Sequence, residues 1–287
     1  MTPSTSFSKR PARWAGLMGL VFLLSSFDHV CFAKSVNSSR ETVLTRTERH
    51  FSGKNIQADQ AFMLGHATLI TGRKLNYSLD SFIEQNKDKA TNLQYYLWSV
   101  RQQKLPELKP ELSLPDDPNF DKSQSVFLMK VDPQYNDMIQ NYSRMVTFIM
   151  GQGVWCPTGS KFTDLFGKPE YEYIVTHQLI SIILARYRNC ITLEDFEQNT
   201  GRYIVRIHNE LIANQDRLSD VQVERAAFLM MAGRPKLVPQ SFLKKLAAAQ
   251  SKDGLWHFDE PLINLKLMPP EHTAALAYYV LSVGRNY

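Results

Sequence analysis

The chain has 287 residues, of which 44% are hydrophobic, 21% charged and 11% aromatic, with 13 Gly and 14 Pro. This composition is ordinary for a globular protein and excludes collagen-like, low-complexity and wholly disordered chains. The formal net charge is only +5, and part of it lies in the first 33 residues. Since nucleic-acid binding requires a strongly basic surface, we expect no nucleic-acid partner.

The first 33 residues are typical of a secretory signal peptide. Lys9, Arg10 and Arg13 precede the apolar stretch 16–27, which is the order of an n-region and an h-region. Twelve helical residues span about 18 Å, much less than the roughly 30 Å hydrocarbon core. We therefore predict cleavage near Ala33, a secreted or periplasmic location, and no stable membrane span afterwards. An uncleaved membrane anchor is the alternative.

Two cysteines remain in the mature chain, Cys156 and Cys190. Exported proteins fold in oxidising compartments, where disulfides form and persist. The sequence therefore indicates a possible Cys156–Cys190 disulfide. Two buried free thiols are the alternative, because pairing geometry cannot be derived from sequence.

The mature chain divides into four stretches. Residues 34–55 are polar with few large apolar side chains, so we expect a flexible lead. Residues 56–104 contain two apolar stripes at helical spacing and form an N-terminal helical part. Residues 105–131 are rich in proline, which excludes a continuous helix and indicates a long surface connection. Residues 132–287 form an α/α-hairpin domain.

Strongly apolar and amphipathic helical segments alternate after residue 132. A helix that is apolar all round must be buried, and a helix with one polar face lies outside it. The apolar segments begin about 45 to 50 residues apart, so we predict an all-α fold of paired antiparallel helices in two shells. The amphipathic segments are 136–150, 193–215 and 240–250, and the apolar segments are 173–187, 221–232 and 272–283.

Residues 240–283 carry the most distinctive pattern. An amphipathic helix ends at Gln250, a Gly-x-Trp turn follows at Gly254 and Trp256, and the final helix opens with Glu271 and His272. This pattern resembles the α/α-toroid proteins of the terpenoid-cyclase and prenyltransferase-like superfamily. The resemblance implies a toroid-like or partial-toroid ring of helical hairpins. Cyclases of this superfamily use an Asp-x-Asp-Asp acid motif, which is absent here, so we expect no cyclase activity.

The turn after Gln250 has a local physical explanation. The Gln250 amide can bond the backbone of the turn, Gly254 permits a positive φ, and the Trp256 ring can fill the gap between neighbouring hairpins. We therefore expect this turn to stabilise the fold first of all.

The first turns of the apolar helices are the best candidate for a site. If these helices run parallel around a ring, their N-terminal ends gather at one end of the cavity and bring distant residues together. The candidate catalytic residues are His177, Glu224, Asp253 and His272, and the candidate binding residues are Asp220, Trp256, His257 and Glu271. The alternative is that these are ordinary polar residues near helix caps.

Two imidazoles beside carboxylates at helix N-termini suit several kinds of chemistry. They can bind an anion, ligate a metal or transfer protons. A zinc site formed by His177, His272 and an Asp or Glu fits the ligand chemistry, but no closely spaced His pair supports it. The cofactor and the metal therefore stay open.

Two polar stretches also have an open interpretation. Asp116, Asp117 and Asp121 lie in the proline-rich connection, where a Pro-interrupted loop cannot hold carboxylates on one helix face, so we expect a solvated acidic loop. Residues 170–173 (Glu-Tyr-Glu-Tyr) suit a sugar-binding rim, because carboxylates and aromatic faces suit carbohydrate. A helix start is the alternative that we favour.

The sequence supports two kinds of function. The first is binding of a glycan, peptide or protein ligand in a cavity or groove of the helical ring. The second is an extracytoplasmic hydrolase or lyase, with glycans as candidate substrates, that uses the His and carboxylate groups at the cavity rim. Convergence of those groups would favour the enzyme, and scattered positions would favour the binding protein.

Overall fold

A computed structural model describes residues 40–54, 56–73, 75, 115–124, 149, 151–153, 167, 169–258 and 269–284. The chain divides into two compact units, Met1–Thr42 and Val43–Tyr287. Residues 40–42, the described part of the first unit, are helical. The predicted signal peptide, Cys156, the second apolar stripe of the N-terminal part and most of segment 136–150 lie outside the described residues.

The described part of the second unit consists of helices, turns and loops without strands, so the all-α prediction is confirmed. Within that part, no helix has the length and apolar character needed to cross a membrane. The helices are α1 (residues 43–51), α2 (Ala58–Thr71), α3 (Glu172–Tyr187), α4 (Leu193–Ala213), α5 (Asp220–Met231), α6 (Gln240–Ala248) and α7 (Pro270–Val283), and Pro235–Leu237 forms a 3-10 turn.

Burial follows the predicted alternation of apolar and amphipathic helices. Every residue of α5 is buried, as are nearly all of α3 and the whole of α7 after its first turn. In contrast, α4 and α6 each bury one side and expose charged residues on the other. The five C-terminal helices thus form buried and outer layers, whereas their closure into a ring stays a prediction.

The prediction of a flexible lead over residues 34–55 is wrong for residues 40–51, which are helical. This helix contains few apolar residues, but Val43, Leu44, Thr47 and Phe51 share one face and are all buried. Their spacing of one, three and four residues is the helical period, so a small apolar stripe is sufficient to dock α1. The overall polarity of the segment conceals this stripe.

The N-terminal helices belong to the same core as the C-terminal helices. The most extensive packing between elements joins α2 to α7, and α7 also packs against α5 and α6. The buried residues of α2, including Leu64 and Ala67, are part of one hydrophobic cluster with those of α7. Consequently, the N-terminal helical part and the α/α-hairpin domain share one compact unit.

A buried carboxylate on α4 fixes the start of α3. Glu172, the first residue of α3, has a left-handed backbone with φ of 54°, and its N–H donates to both oxygens of Glu210, at 3.1 and 3.3 Å. Arg225 on α5 forms a buried ion pair with the same carboxylate. A negative charge at a helix N-terminus is favourable, so Glu210 couples α3, α4 and α5.

The Gly-x-Trp turn fixes α1 to the C-terminal helices. The Gln250 side-chain amide donates to the carbonyl of Gly254 at 3.1 Å and also to the Val43 carbonyl and the Thr47 hydroxyl of α1. Gly254 has φ of 89°. Trp256 is fully buried, and its indole N–H donates to the Leu246 carbonyl at 2.7 Å. The turn therefore stabilises the fold, as the sequence predicts.

We predict that Gly254→Ala strongly destabilises the protein. A Cβ at this position would lie 2.7 Å from the Arg46 carbonyl oxygen of α1, and the positive φ adds strain. The matched control is Gly53→Ala, because Gly53 also has a positive φ but an added Cβ meets nothing within 4 Å. We expect a loss of about 1 kcal/mol for the control and at least about 2 kcal/mol for Gly254→Ala, measured by chemical denaturation. Equal losses would show that the turn does not press against α1.

Candidate functional site

The N-terminal ends of α3, α5 and α7 meet and bring together residues that are distant in the sequence. His177 on α3 places Nδ1 3.2 Å from Oε1 of Glu224 on α5. His272 on α7 places Nε2 3.9 Å from Oε2 of the same carboxylate and 4.0 Å from Oδ2 of Asp220. Together with Asp59 of α2, these residues form what we call the His–carboxylate cluster. Three of the four candidate catalytic residues thus converge.

The two carboxylates of α5 lie one helical turn apart and are buried. The side chain of Asp220 is 0% exposed and that of Glu224 is 1% exposed. Because buried charges are costly without partners, each carboxylate needs hydrogen-bond donors. The Asp220 carboxylate accepts hydrogen bonds from Tyr173, at 3.0 Å, and from Thr273, while Glu224 accepts one from Thr176.

The ring of His272 is oriented by a carboxylate from another helix. Its Nδ1 lies 2.6 Å from Oδ2 of Asp59 on α2. An N–H at Nδ1 satisfies that carboxylate, so the Nε2 atom faces the two carboxylates of α5. This Nε2 atom is buried and has no hydrogen-bond partner among the described residues. The geometry requires a positive charge near Nε2, since a bare lone pair there would face two carboxylate oxygens.

His177 completes the cluster on the opposite side of Glu224. Its Nδ1 lies 2.8 Å from the Tyr173 carbonyl oxygen and 3.2 Å from Glu224. Since both neighbours are acceptors, Nδ1 carries a proton and Nε2 is the atom that can accept or release another. The side chains of His177 and His272 are 14% and 19% exposed, so solvent reaches the imidazoles but not the carboxylates of α5.

The surroundings move the pKa values of the α5 carboxylates in opposite directions. Burial and the nearby charge of Glu224 raise the pKa of Asp220. Burial also acts to raise the pKa of Glu224, but the charges of His177 and His272 and the close contact of His177 outweigh it and lower this pKa to about 2. Paired groups with separated pKa values are characteristic of functional sites.

The pKa values of His272 and Asp59 complete this picture. Burial acts to lower the pKa of His272, but Asp220, Asp59 and Glu224 together raise it well above the usual range. Burial acts to raise the pKa of Asp59, but the hydrogen bond and charge of His272 lower it. In the absence of a metal ion, His272 and the carboxylates around it therefore shift one another's pKa values by mutual attraction.

Asp220, Glu224 and His272 can also hold a metal ion. One ligand atom from each residue lies within 4.8 Å of the other two. Imidazole nitrogen and carboxylate oxygen are zinc ligands, and a tetrahedral zinc site separates its ligand atoms by about 3.4 Å. A small contraction of the cluster would reach this geometry. His177 is not in this set and instead contacts Glu224, which differs from the zinc site expected from sequence.

The other candidate residues lie elsewhere. Asp253 accepts a hydrogen bond from Nε2 of His257 at 2.8 Å, and both side chains are about half exposed. Hydrogen bonds from Ser251 and His257 lower the pKa of Asp253. Among the described residues, no direct contact joins this pair to the His–carboxylate cluster. His50 lies between them and Glu271, with its Nδ1 3.1 Å from the Asp253 carbonyl oxygen and its Nε2 3.5 Å from the Glu271 carboxylate. The single rim that includes Asp253 and His257 therefore stays a prediction.

Trp256 and Glu271 also lie outside the His–carboxylate cluster and contact other parts of the fold. Trp256 is buried in the core, which leaves no surface of its ring for a ligand. The Glu271 carboxylate lies 3.5 Å from Nε2 of His50 near the end of α1. Of the two cysteines, Cys190 packs against the core, and since Cys156 lies outside the described residues, their disulfide stays a prediction.

Sequence reasoning missed Asp59 and the hydroxyl groups that support the carboxylates. Asp59 lies in the first turn of α2, so the rule that selected first-turn residues of the C-terminal helices would also have selected it. It was missed because α2 was assigned to a separate part of the chain. Thr176 and Thr273 each neighbour a candidate histidine in sequence, which is the only signal that they offered.

Comparison with known proteins identifies no relative of this chain. No family model, no curated protein and no solved structure matches this chain. The resemblance to α/α-toroid proteins therefore stays a prediction, and the function must be argued from the cluster itself.

Proposed function

We propose that this protein binds a divalent transition-metal ion, zinc in the first place, through Asp220, Glu224 and His272. The observation that carries the proposal is the buried Nε2 of His272, which faces two buried carboxylates at 3.9 and 4.0 Å without a hydrogen-bond partner among the described residues. These distances are too long for hydrogen bonds. One cation between the three atoms would satisfy all of them.

The second contacts of each ligand support this proposal. Metal-binding histidines almost always donate their other ring N–H to a carboxylate or carbonyl, as His272 does to Asp59. The carboxylate ligands are likewise hydrogen-bonded, Asp220 by Tyr173 and Thr273, and Glu224 by Thr176. Such supporting groups fix the ligand atoms before the ion arrives and thereby raise affinity.

The alternative is that a proton supplies the positive charge. An imidazolium at His272 would neutralise one carboxylate, but its Nε2–H would lack an acceptor within hydrogen-bond distance among the described residues. A buried donor without an acceptor costs about 1 to 3 kcal/mol. A metal ion removes this cost, and for that reason we favour it.

We predict that the protein binds one zinc ion and that His272→Ala or Glu224→Gln lowers the affinity by more than about 100-fold. His272→Ala removes a direct ligand, and Glu224→Gln replaces an anionic ligand by a neutral amide. The measurement is equilibrium dialysis of chelator-treated protein with elemental analysis. His257→Ala is the matched control, since this imidazole is exposed and pairs only with Asp253 among the described residues. Circular dichroism of each metal-free variant separates lost ligation from lost folding. Folded wild-type protein that binds no zinc would overturn the proposal.

A conservative change outside the ligand set tests the supporting contacts. Asp59→Asn keeps an oxygen near Nδ1 of His272 but removes the charge that makes the imidazole more basic. We expect zinc affinity to fall by about 10- to 100-fold while the stoichiometry stays at one. Unchanged affinity would mean that Asp59 does not support a metal ligand, and complete loss of folding would assign it a structural role.

The number of ligand groups favours a second, catalytic role for the same centre, since three residues converge there within the described part of the chain. Structural zinc sites have four protein ligands, whereas catalytic sites have three and leave one position for water. Bound zinc lowers the pKa of that water to about 7 and makes it a nucleophile at neutral pH. His177, whose Nδ1 contacts Glu224, is the group available for proton transfer beside the centre. We therefore propose hydrolysis as the reaction class, and export as the setting.

Cobalt substitution distinguishes an open centre from a closed one. Cobalt(II) occupies zinc sites, and its visible absorption changes when its ligand set changes. We expect azide to change the spectrum of the cobalt-loaded protein because it replaces the bound water. A spectrum that azide leaves unchanged would contradict the catalytic role but not metal binding, and His257→Ala again serves as the control.

A further inference from the structure

A second polar site lies where loop 115–124 and residues 169–171 pack on α4. These segments border an open cavity of about 420 Å³, which falls within the range of small-molecule sites. Its polar lining consists of Asp116, Asp117, Asn119, Glu170, Tyr171 and Arg202, with Arg206 beneath them. None of these residues belongs to the His–carboxylate cluster.

Arg206 fixes both walls of this cavity. Its guanidinium forms a two-pronged ion pair with Asp117 of the loop and donates to the carbonyls of Pro169 and Glu170, at 3.1 and 3.2 Å. It also lies 4.3 Å from the centre of the Tyr171 ring. A bidentate ion pair between arginine and a carboxylate fixes the relative orientation of the two groups and is stronger than a single hydrogen bond. The prediction of a solvated acidic loop is therefore wrong for Asp117.

Tyr171 fastens the same loop from the other side. Its hydroxyl donates to the Asn119 carbonyl and accepts from the Asp121 N–H, both at 2.9 Å. The loop also packs closely on α4, since a Cβ on Gly201 would lie 3.3 Å from the Pro115 ring. An exposed loop rich in Asp, Asn and Pro is thus held in one conformation, which is the preorganisation that a binding site requires.

The polar groups that line this cavity are planar and mixed in charge. Asp116, Asn119 and Glu170 are exposed, and their side chains make no hydrogen bond or ion pair within the described part of the chain. Arg202 is exposed and donates to the Tyr203 hydroxyl at 3.0 Å. Carboxylates supply acceptors, the guanidinium supplies donors and the amide supplies both. Two unpaired carboxylates disfavour anions, and the guanidinium disfavours a purely cationic ligand.

We infer that this cavity binds a short neutral oligosaccharide. Adjacent sugar hydroxyls both donate and accept, so they match the carboxylate, amide and guanidinium groups that the cavity offers. Of residues 170–173, only Glu170 and Tyr171 can take part in such binding, because Glu172 and Tyr173 are buried. Glu172 begins α3, as the helix-start alternative predicts. The inference does not depend on the proposed metal.

Calorimetric titration of the full chain with defined sugars tests the inference. The probes are cellotetraose, chitotetraose, maltotetraose and mannotetraose, with tetralysine as a cationic comparison, each in the presence of chelator and again with zinc. We expect at least one tetrasaccharide to bind under both conditions. Asp116→Ala and Asn119→Ala should each weaken that binding by about tenfold, since each removes a hydrogen-bonding group from an exposed position.

Control variants make the outcomes distinct. Glu194→Gln removes an exposed carboxylate of α4 that bonds only Gln198 among the described residues, and it should leave sugar binding unchanged. His272→Ala should abolish zinc binding but not sugar binding, so the two proposals fail independently. Binding of tetralysine alone, no binding of any tetrasaccharide, or sugar binding that is unaffected by both cavity variants would overturn the inference.

Discussion

Two buried negative charges on one turn of α5 are the constraint to which the rest of the structure responds. Asp220 and Glu224 lie four residues apart, where like charges on a helix repel, and both are removed from water. Burial of an uncompensated carboxylate costs several kcal/mol. The neighbouring helices offset this cost, because α3 and α7 place a hydroxyl and an imidazole from their first two turns beside these carboxylates.

This arrangement explains why the most apolar helices of the chain carry polar first turns. Along α3, α5 and α7 most of the buried residues beyond the first turn and a half are apolar, so a largely apolar core lies behind the cluster. The buried polar exceptions are Gln178, Ser181, Arg225 and Ser282. Glu210 is a further buried carboxylate that is compensated by its neighbours. It forms an ion pair with Arg225 and accepts a hydrogen bond from the backbone N–H of Glu172. Most polar groups of the buried helices therefore lie near the N-terminal ends of these helices. Burial of the apolar residues beyond them supplies the stability that offsets the cost of burying these polar groups.

The periodicity of apolar residues was sufficient to predict most of the helices in the described part of the C-terminal half. The bounds of α3, α4, α5 and α7 lie within two residues of the predicted segments. The prediction succeeds because the buried face of a helix must carry apolar residues at helical spacing. The same reasoning placed His177, Asp220, Glu224 and His272 together, since residues that open neighbouring parallel helices meet. It failed for α1, where four buried residues suffice for docking. It did not predict that the Asp253 carboxylate forms hydrogen bonds inside its own turn.

Other features of the site depend on contacts that no local pattern encodes. Asp59 is an ordinary first-turn carboxylate until α2 packs on α7, and Asp117 is an ordinary loop carboxylate until α4 presents Arg206. Each gains its role from a partner 213 or 89 residues away in the sequence. Sequence periodicity predicts which face of a helix is buried but not which helix covers it.

The contact between Asp59 and His272 also has a consequence for the order of assembly. It joins the beginning and the end of the unit across 213 residues, and contacts of such long range form slowly because a large loop must be closed first. The helices between them can collapse on local contacts while His272 still lacks its partner. The His–carboxylate cluster is thus completed only when α7 docks, so a complete cluster indicates that the helices of this unit have assembled.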